Sequence, residues 1–572
     1  MPEKRPNNNF KLFKLARPYL GFILLILAAS LVANGLNLFL PKVVAQTIDT
    51  FRSSNSIPVT FIRNFSLIIV FIFIFSTIQS LLQTYLSEKF ARDLREKLIT
   101  KISNQPYLFI NQFTSEKLLT NLTADVDNIK QVVAQALIQI FASVITIVGA
   151  TVLLLSINWR LALIVLTIIP LIVAIFTFIF SKIRKYFLRS QAIIDKLNKV
   201  INESIIASSL IRIINSQDWE FQKFSAVSQE AREVGLSILK LFSSLVPLIG
   251  LIANASIVAI LLVGGKSIVL GTFTIGGFTA FMSYISMLIF PIVVLGFISN
   301  LIARAAVSFE RVEAVLDAPV EKLYGDLDTE FKGNIVFENV NLTLNDKQIL
   351  KNISFNIKAN CKTAILGPTA AGKSQIFYLI SGLIKPNSGQ ISIDNQPIFN
   401  YSQECLSRQI GLVFQDSSIF NTTIAENINF NNHDDPKSVN KAIATAELEN
   451  FIDTLPQGLN TKIDERGNNL SGGQKQRITL ARALALNPKI LLLDDFTARV
   501  DKDTEKRITA NLNKNYPQIT EVLITQQISS AKDADQIILV MEGEILATGT
   551  HDYLLKNSSE YQQIYNSQQD LT

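Results

Sequence analysis

Apolar residues crowd into long runs between positions 19 and 305 of the chain and almost disappear as long runs beyond them. Six stretches, 18–41, 61–86, 133–156, 160–182, 241–264 and 274–300, are apolar enough to span a bilayer, which takes about 20 residues of helix. The clearest, FSLIIVFIFIFSTI from Phe65 to Ile78, holds eleven Ile, Leu, Val or Phe residues. At roughly 0.3–0.6 kcal/mol each, they favour insertion by about 3–7 kcal/mol. The alternative is buried helices of a large soluble protein, and six such runs in 300 residues weigh against it. The first run is too long for a cleavable signal peptide and is expected to remain as a span. From Ile335 the pattern shortens. Apolar strand candidates at Ile335–Val340, Thr363–Leu366, Ile410–Phe414, Ile490–Leu493, Val522–Ile524 and Gln536–Met541 alternate with helix-compatible segments. That alternation predicts a layered α/β domain. The expected organisation is an all-α six-helix transmembrane domain over 1–312, a linker over 313–333 and an α/β domain over 334–572.

Composition agrees with a membrane half and a soluble half. Of 572 residues, 48% are hydrophobic and only 17% charged, against about 25% charged in soluble chains. A disordered chain and a disulfide scaffold are excluded; the two cysteines, Cys361 and Cys405, both lie in the soluble half. The net charge of +6 fits basic cytoplasmic loops better than a nucleic-acid surface, and no nucleic-acid partner is expected. Basic residues cluster at the N-terminus (Lys4, Arg5, Lys11, Lys14, Arg17), after the second span (Lys89, Arg92, Arg95, Lys97, Lys101) and after the fourth (Lys182, Arg184, Lys185, Arg189). The excess predicts a cytoplasmic N-terminus and a cytoplasmic soluble domain on the plasma membrane. The two cytoplasmic connections, about 45 and 58 residues long, read as helices running on beyond the bilayer.

The chemistry is concentrated in the soluble half. Thr363–Leu366 runs into GPTAAGKS: Gly367, Pro368, Thr369, Ala370, Ala371, Gly372, Lys373 and Ser374. This G-x-x-x-x-G-K-[ST] pattern between a strand and a helix is a phosphate-binding loop. Its backbone N–H groups surround phosphates, Lys373 reaches the β- and γ-phosphates, and Ser374 is a ligand for Mg²⁺. Ile490–Asp495 reads ILLLDD, an apolar strand ending in two carboxylates, the first placed to hold Mg²⁺ through water. Between them lies LSGGQ, Leu470, Ser471, Gly472, Gly473 and Gln474, after Glu465–Gly467. Its hydroxyl and N–H groups at a helix start suit a phosphate.

These motifs resemble those of exporter-type ABC half-transporters, six membrane helices fused to one P-loop ATPase domain. The resemblance covers essentially the whole chain. It includes NWRLAL (Asn158–Leu163), Gly271, Gly276 and Pro291 in the membrane half, and Gln415 in VFQD, Asp501 and GTH (Gly549–His551) in the soluble half. It implies a dimer with two ATP molecules sandwiched between the ATPase domains, each touching the phosphate loop of one chain and the LSGGQ of the other. It also implies that Gln415 binds Mg²⁺ together with Ser374 and Asp494. Coupling helices are expected near Asn111–Leu119 and Arg212–Gln222.

The departures from the family pattern fall on one side of the ATP site. Leu344 stands where an aromatic would stack on adenine, worth about 0.5–1.5 kcal/mol for aromatic pairs. Ala370 replaces a loop glycine, and Gln375 follows Ser374 in place of Thr. Asp495 occupies the position of the catalytic glutamate and is shorter by about 1.5 Å. Gln526, in ITQQISS, stands where the switch histidine belongs; the chain's two histidines are His433 and His551. Arg499 intrudes before Asp501. A lost general base typically costs about 10²–10⁴ in rate. The expectation is a subunit that binds ATP and Mg²⁺, hydrolyses slowly at its own site, and lends an intact LSGGQ to a second ABC half-transporter. Together they would export an amphiphile such as a drug, lipid or peptide across the bilayer. A homodimer using Asp495 as a weak base and a nucleotide-gated regulatory membrane protein are the alternatives.

Overall fold

Five helices among the described residues are long and apolar enough to cross a membrane: Arg17–Ser53, Val59–Ser103, Ser115–Ile157, Gln217–Val269 and Ile275–Leu295. They belong to a computed structural model that describes residues 17–54, 59–319, 323–344, 346–416, 418–430 and 435–569. Lys4, Arg5, Lys11, Lys14 and His433 lie outside the described residues. The stretch 160–182 is a broken helix, Trp159–Leu166 and Ile168–Ile206 separated by a turn at Thr167. Pro170 explains the break: it has no N–H for the carbonyl of Leu166 and its ring crowds that carbonyl. Two helices far exceed the bilayer. Val59–Ser103 has 45 residues and Gln217–Val269 has 53, lengths of roughly 68 and 80 Å at about 1.5 Å per residue. The hydrocarbon core is only about 30 Å thick.

By its contacts the chain separates into two units, one of Met1–Ser103 with Thr114–Ala318, the other of Asn104–Phe113 with Pro319–Thr572. In the first, helices pack through clusters of Leu, Ile, Val and Phe, with a close approach at a small residue and a few buried polar bonds. The Tyr284 hydroxyl, fully buried, donates to the Leu38 carbonyl at 2.8 Å. The Gly276 N–H donates to Asp49 Oδ1 at 2.8 Å, and a Cβ at this glycine would collide with the Ala45 carbonyl. Phe176, Phe180, Phe242 and Phe297 form a chain of ring contacts with centroids 4.1–6.1 Å apart. On the extended parts, Arg95 pairs with Asp127 at 2.7 Å and Lys130 pairs with Glu88. Asn34 donates within its own helix to the Ser30 carbonyl at 2.8 Å.

The coupling segment expected near Asn111–Leu119 overlaps two short helices, Tyr107–Phe113 and Ser115–Thr120, of which only the first groups with the second unit. The short helix Tyr107–Phe113 joins the second unit, with Tyr107 and Leu108 against its core and the Tyr107 ring 5.3 Å from that of Tyr378. The reason is polarity: YLFI offers apolar side chains, whereas Thr114–Lys117 is polar and begins the next helix. Around Arg212–Gln222 the chain forms the short helix Ser208–Ile213 and a turn through Asn215, whose φ is 52°. Ile213 and Trp219 there are 81% and 65% exposed.

The second unit contains two sheets. Strands β1 (Ile335–Leu344), β2 (Lys347–Ile357), β3 (Lys362–Leu366), β4 (Ser388–Ile393), β5 (Gln396–Pro397), β6 (Ile410–Val413), β7 (Ile490–Asp494), β8 (Thr520–Thr525), β9 (Gln536–Met541) and β10 (Glu544–Gly549) follow in chain order. One sheet is antiparallel, ordered β2-β1-β4-β5; the other is ordered β10-β9-β3-β8-β7-β6 and is parallel except for β10. β7 and β8 are buried at every residue, as parallel strands covered on both faces must be. Ile365 of β3 faces a core shared with the antiparallel sheet, whereas Ala364 and Leu366 face a cluster with Ile528, Leu554 and Tyr561. The sequence pattern placed Ile335–Val340 among the strands without showing that it belongs to the separate antiparallel sheet. It missed β2, β4, β5 and β10, because antiparallel strands with a solvated face carry polar residues at alternate positions.

Because the Gly276 backbone touches the first helix, Gly276→Ala should destabilise the membrane unit by about 1–3 kcal/mol through overpacking. A lowered unfolding midpoint of the detergent-purified chain, followed by intrinsic fluorescence, is the expected reading.

Candidate functional site

Three parallel strands end side by side at the site. Leu366 of β3 is in register with Thr525 of β8, and Ile524 of β8 with Asp494 of β7. Their C-terminal ends therefore deliver the phosphate loop, the Gln526 segment and the two carboxylates to one crevice. Ligands in open α/β sheets bind at such strand ends.

The loop after β3 is shaped by backbone more than by side chains. A Cβ at Gly367 would collide with the Val540 carbonyl, so β9 approaches as only glycine permits. Gly372 has φ +93° and caps the helix Lys373–Ile380. Ala370 has φ 65°, a left-handed conformation that costs an L-residue about 1–2 kcal/mol. An alanine thus holds a left-handed turn in this loop under strain. Lys373 is only 7% exposed; its Nζ donates to the Gly367 and Pro368 carbonyls at 2.8 and 2.7 Å. Burial pulls its ammonium below the ordinary lysine range, while the carboxylates of Asp494 and Asp495 oppose that shift.

Asp494 is buried at the end of β7. Burial pushes its carboxyl up, the Ser374 hydroxyl that hydrogen-bonds it pulls down, Asp495 adds to the rise, and Lys373 opposes it. Asp495 has φ 46°, and its N–H donates to the Ile524 carbonyl at 3.0 Å. Burial raises its carboxyl too, against the attraction of Lys373. Gln526 follows β8, and the Thr369 hydroxyl donates to its Oε1 at 3.1 Å. The structure therefore brings Thr369, Lys373, Ser374, Asp494, Asp495 and Gln526 together. Gln415 is exposed after β6, its carbonyl accepting from the buried Gln476 at 3.1 Å. Leu344 closes β1, half-buried against the core. Ala371 is buried, and the Gln375 N–H donates to the Gly372 carbonyl at 3.1 Å.

The LSGGQ segment forms a separate feature. Ser471 caps the helix Gly472–Ala485 in a reciprocal box: its hydroxyl accepts from the Gln474 N–H at 3.2 Å, and Gln474 Oε1 accepts from the Ser471 N–H at 2.8 Å. Such a box satisfies orphan donors at the helix start. The Leu470 N–H donates to the Gly467 carbonyl at 2.9 Å. The carbons of Arg499 cover Gly472, with Cδ 3.3 Å from a Cβ built there. Its guanidinium lies 3.5 Å from Asp416. Asp501 caps the next helix, Lys502–Asn515, accepting from the Thr504 N–H at 2.9 Å.

No sequence motif points to Gln476 or to Gln568. Gln568 Nε2 donates to the Gln526 carbonyl at 2.7 Å, and its Oε1 accepts from the Ile528 N–H at 2.9 Å. Nothing local distinguishes a glutamine near the end of a polar helix; only the fold brings it to the Gln526 segment.

A helical membrane unit followed by a phosphate-loop unit of this topology defines a membrane transport ATPase. Residues 23–292 match the ABC transporter transmembrane region family, and residues 350–498 match the ABC transporter family. The chain is 32% identical over 566 residues to the Bacillus subtilis ABC transporter ATP-binding protein YfiB, covering 98% of both chains. It is 28% identical to the ATP-dependent lipid A-core flippase of Syntrophus aciditrophicus, covering 98% of this chain and 94% of that one. It shares its fold with a bacterial Atm1-family ABC exporter solved with ATP bound, with a TM-score of 0.78 and 23% identity over 97% of this chain and 99% of that one. The chain belongs to the ABC transporter family and is an exporter-type member, a multi-pass membrane protein whose ATPase domain couples ATP hydrolysis to transport.

Lys373→Ala removes a charged donor at the centre of the loop. Charged hydrogen bonds contribute about 1.5–3 kcal/mol, so ATP affinity should fall roughly tenfold to a hundredfold in equilibrium binding of labelled ATP.

Proposed function

We propose that the chain is one half of a heterodimeric ABC exporter, binding ATP at a slow site of its own and completing a faster site held by its partner. The observation that carries this reading is the asymmetry of the substitutions. Leu344, Ala370, Gln375, Asp495 and Gln526 depart from the family pattern on the phosphate-loop side, whereas LSGGQ keeps every residue and its reciprocal cap, and of the departures only Arg499 lies against it, over Gly472. Gln526 can hydrogen-bond a γ-phosphate but cannot carry a proton as an imidazole does. Asp495 must reach its water with a side chain one methylene short of glutamate, and a base works only within about 2.6–3.2 Å. ATP binding by both chains closes the ATPase domains, closure turns the membrane cavity outward, and hydrolysis at the partner's site resets it.

Mg²⁺ fits the donors present. The Ser374 hydroxyl and the Asp494 carboxylate, already bonded to each other, are hard oxygen ligands, and the Gln415 amide oxygen is a third of the same kind. The metal would neutralise phosphate charge, and Lys373 would hold the β- and γ-phosphates. The exposed Ile213, Trp219 and Phe221, outside the apolar spans, offer an apolar surface for the partner's ATPase domain. The substrate class is amphiphilic; lipid A-core flippases among the relatives favour a lipid. The basic segments after the second and fourth spans support a plasma-membrane topology with the N-terminus and ATPase domain in the cytoplasm.

One feature favours a homodimer as the second reading. Burial raises the Asp495 carboxyl, and a raised carboxyl is a better base near neutral pH. Purification of the tagged chain in mild detergent should recover a second ABC half-transporter with Glu and His at the two switch positions. In that complex Asp495→Asn should change the ATPase rate less than twofold. Recovery of the chain alone, with an ATPase abolished by Asp495→Asn, establishes the homodimer instead.

A further inference from the structure

The segment that carries Gln526 is gripped from two sides. In front, the Gln526 side chain accepts from Thr369 of the phosphate loop at 3.1 Å. Behind, the single side-chain amide of Gln568 takes two backbone groups of the segment: it donates to the Gln526 carbonyl at 2.7 Å and accepts from the Ile528 N–H at 2.9 Å. Between them the Gln527 N–H is held by Thr525 Oγ1 at 3.0 Å. The helix that bears Gln568, Ser559–Gln569, is itself anchored. Tyr561 is fully buried, its hydroxyl 2.7 Å from His551 Nδ1, and Ile564 and Tyr565 pack on the cluster that contains Leu366 and Ile528.

We propose that Gln568 is a positioning residue for γ-phosphate recognition: the last helix sets the height of the Gln526 segment over the phosphate loop. The inference rests on the reading of Gln526 as the group that meets the γ-phosphate. It adds that the carboxamide of Gln568 prepares that encounter, so the last helix is part of the nucleotide site. Both ends of the amide are used. A glutamate of equal length could still accept from Ile528 but could not donate to the Gln526 carbonyl, and its charge would face that oxygen. The geometry also separates the two nucleotide states. ADP has no γ-phosphate, so a displaced Gln526 segment should weaken a triphosphate and spare a diphosphate.

The test uses the full-length chain in lipid nanodiscs with Mg²⁺ and fluorescent derivatives of ADP and of a non-hydrolysable ATP analogue. The quantity read is the preference for triphosphate over diphosphate, with thermal unfolding measured in parallel. Gln568→Ala and Gln568→Glu should each lower the preference about fivefold, the weight of one neutral hydrogen bond, with ADP affinity and the unfolding midpoint unchanged. Gln526→Ala should lower it at least as far. An unchanged preference in both Gln568 variants beside a lowered one in Gln526→Ala overturns the inference and leaves the role of Gln526 standing. An unchanged preference in Gln526→Ala removes that role and the inference with it. Equal weakening of both nucleotides, or a lowered midpoint in both Gln568 variants, reduces Gln568 to a helix-docking contact and also overturns the inference.

Discussion

The register of three parallel strands governs everything chemical in this protein. β3, β8 and β7 are hydrogen-bonded so that Leu366 lies beside Thr525 and Ile524 beside Asp494. A slip along any of them would move the phosphate loop, the Gln526 segment or the carboxylate pair by about 3.3 Å per residue, the length of a hydrogen bond. Register is held by burial on both faces. The side chains of β7 and β8 are buried throughout, and a one-residue slip would exchange the two faces of each strand. Residues more than 100 positions apart are thereby delivered as one cluster.

Within that cluster, backbone shape and side-chain chemistry have diverged. Gly367 and Gly372 keep the close approach and left-handed turn that a phosphate loop needs, and Ala370 adopts the left-handed conformation despite its Cβ. Lys373 remains buried against the loop carbonyls. The departures in chemistry fall instead on Asp495 and Gln526, the positions to which the proposed function gives proton transfer. Under the proposed reading, a site altered in this way keeps the geometry for holding a triphosphate and loses chemistry on the attacking water. The LSGGQ helix, which the proposed function lends to the partner's ATP, has a reciprocal cap between Ser471 and Gln474.

The membrane unit follows a different rule. Lipid supplies no hydrogen bonds, so its backbone must satisfy itself, and helices approach where side chains are small. Gly276 against Ala45 and Asp49 is such a place, and the buried Tyr284 hydroxyl finds a backbone carbonyl. Pro170 breaks the fourth apolar stretch at Thr167. The long helices then carry the chain well past the bilayer. At the turn before Tyr107, the apolar sequence YLFI leaves the membrane unit and joins the core of the ATPase unit.

By itself the sequence determined the class of each half and named most of the residues that the fold gathers at the candidate site. Long apolar runs can satisfy their backbone in lipid only as helices, and GPTAAGKS, LSGGQ and ILLLDD are contiguous, so each motif carries its own local geometry. Its departures at Leu344, Asp495 and Gln526 were also readable, because each is a change of chemistry at a position that a motif defines. Tertiary structure decided what depends on distant partners. It sorted Ile335–Val340 into a separate antiparallel sheet, grouped the short helix Tyr107–Phe113 with the ATPase unit, laid Arg499 over Gly472, and brought Gln568 to the back of the Gln526 segment. Hydropathy and motif spacing report a residue's own neighbourhood. A hydrogen bond across 42 positions depends on how strands and helices pack, and no local pattern encodes it.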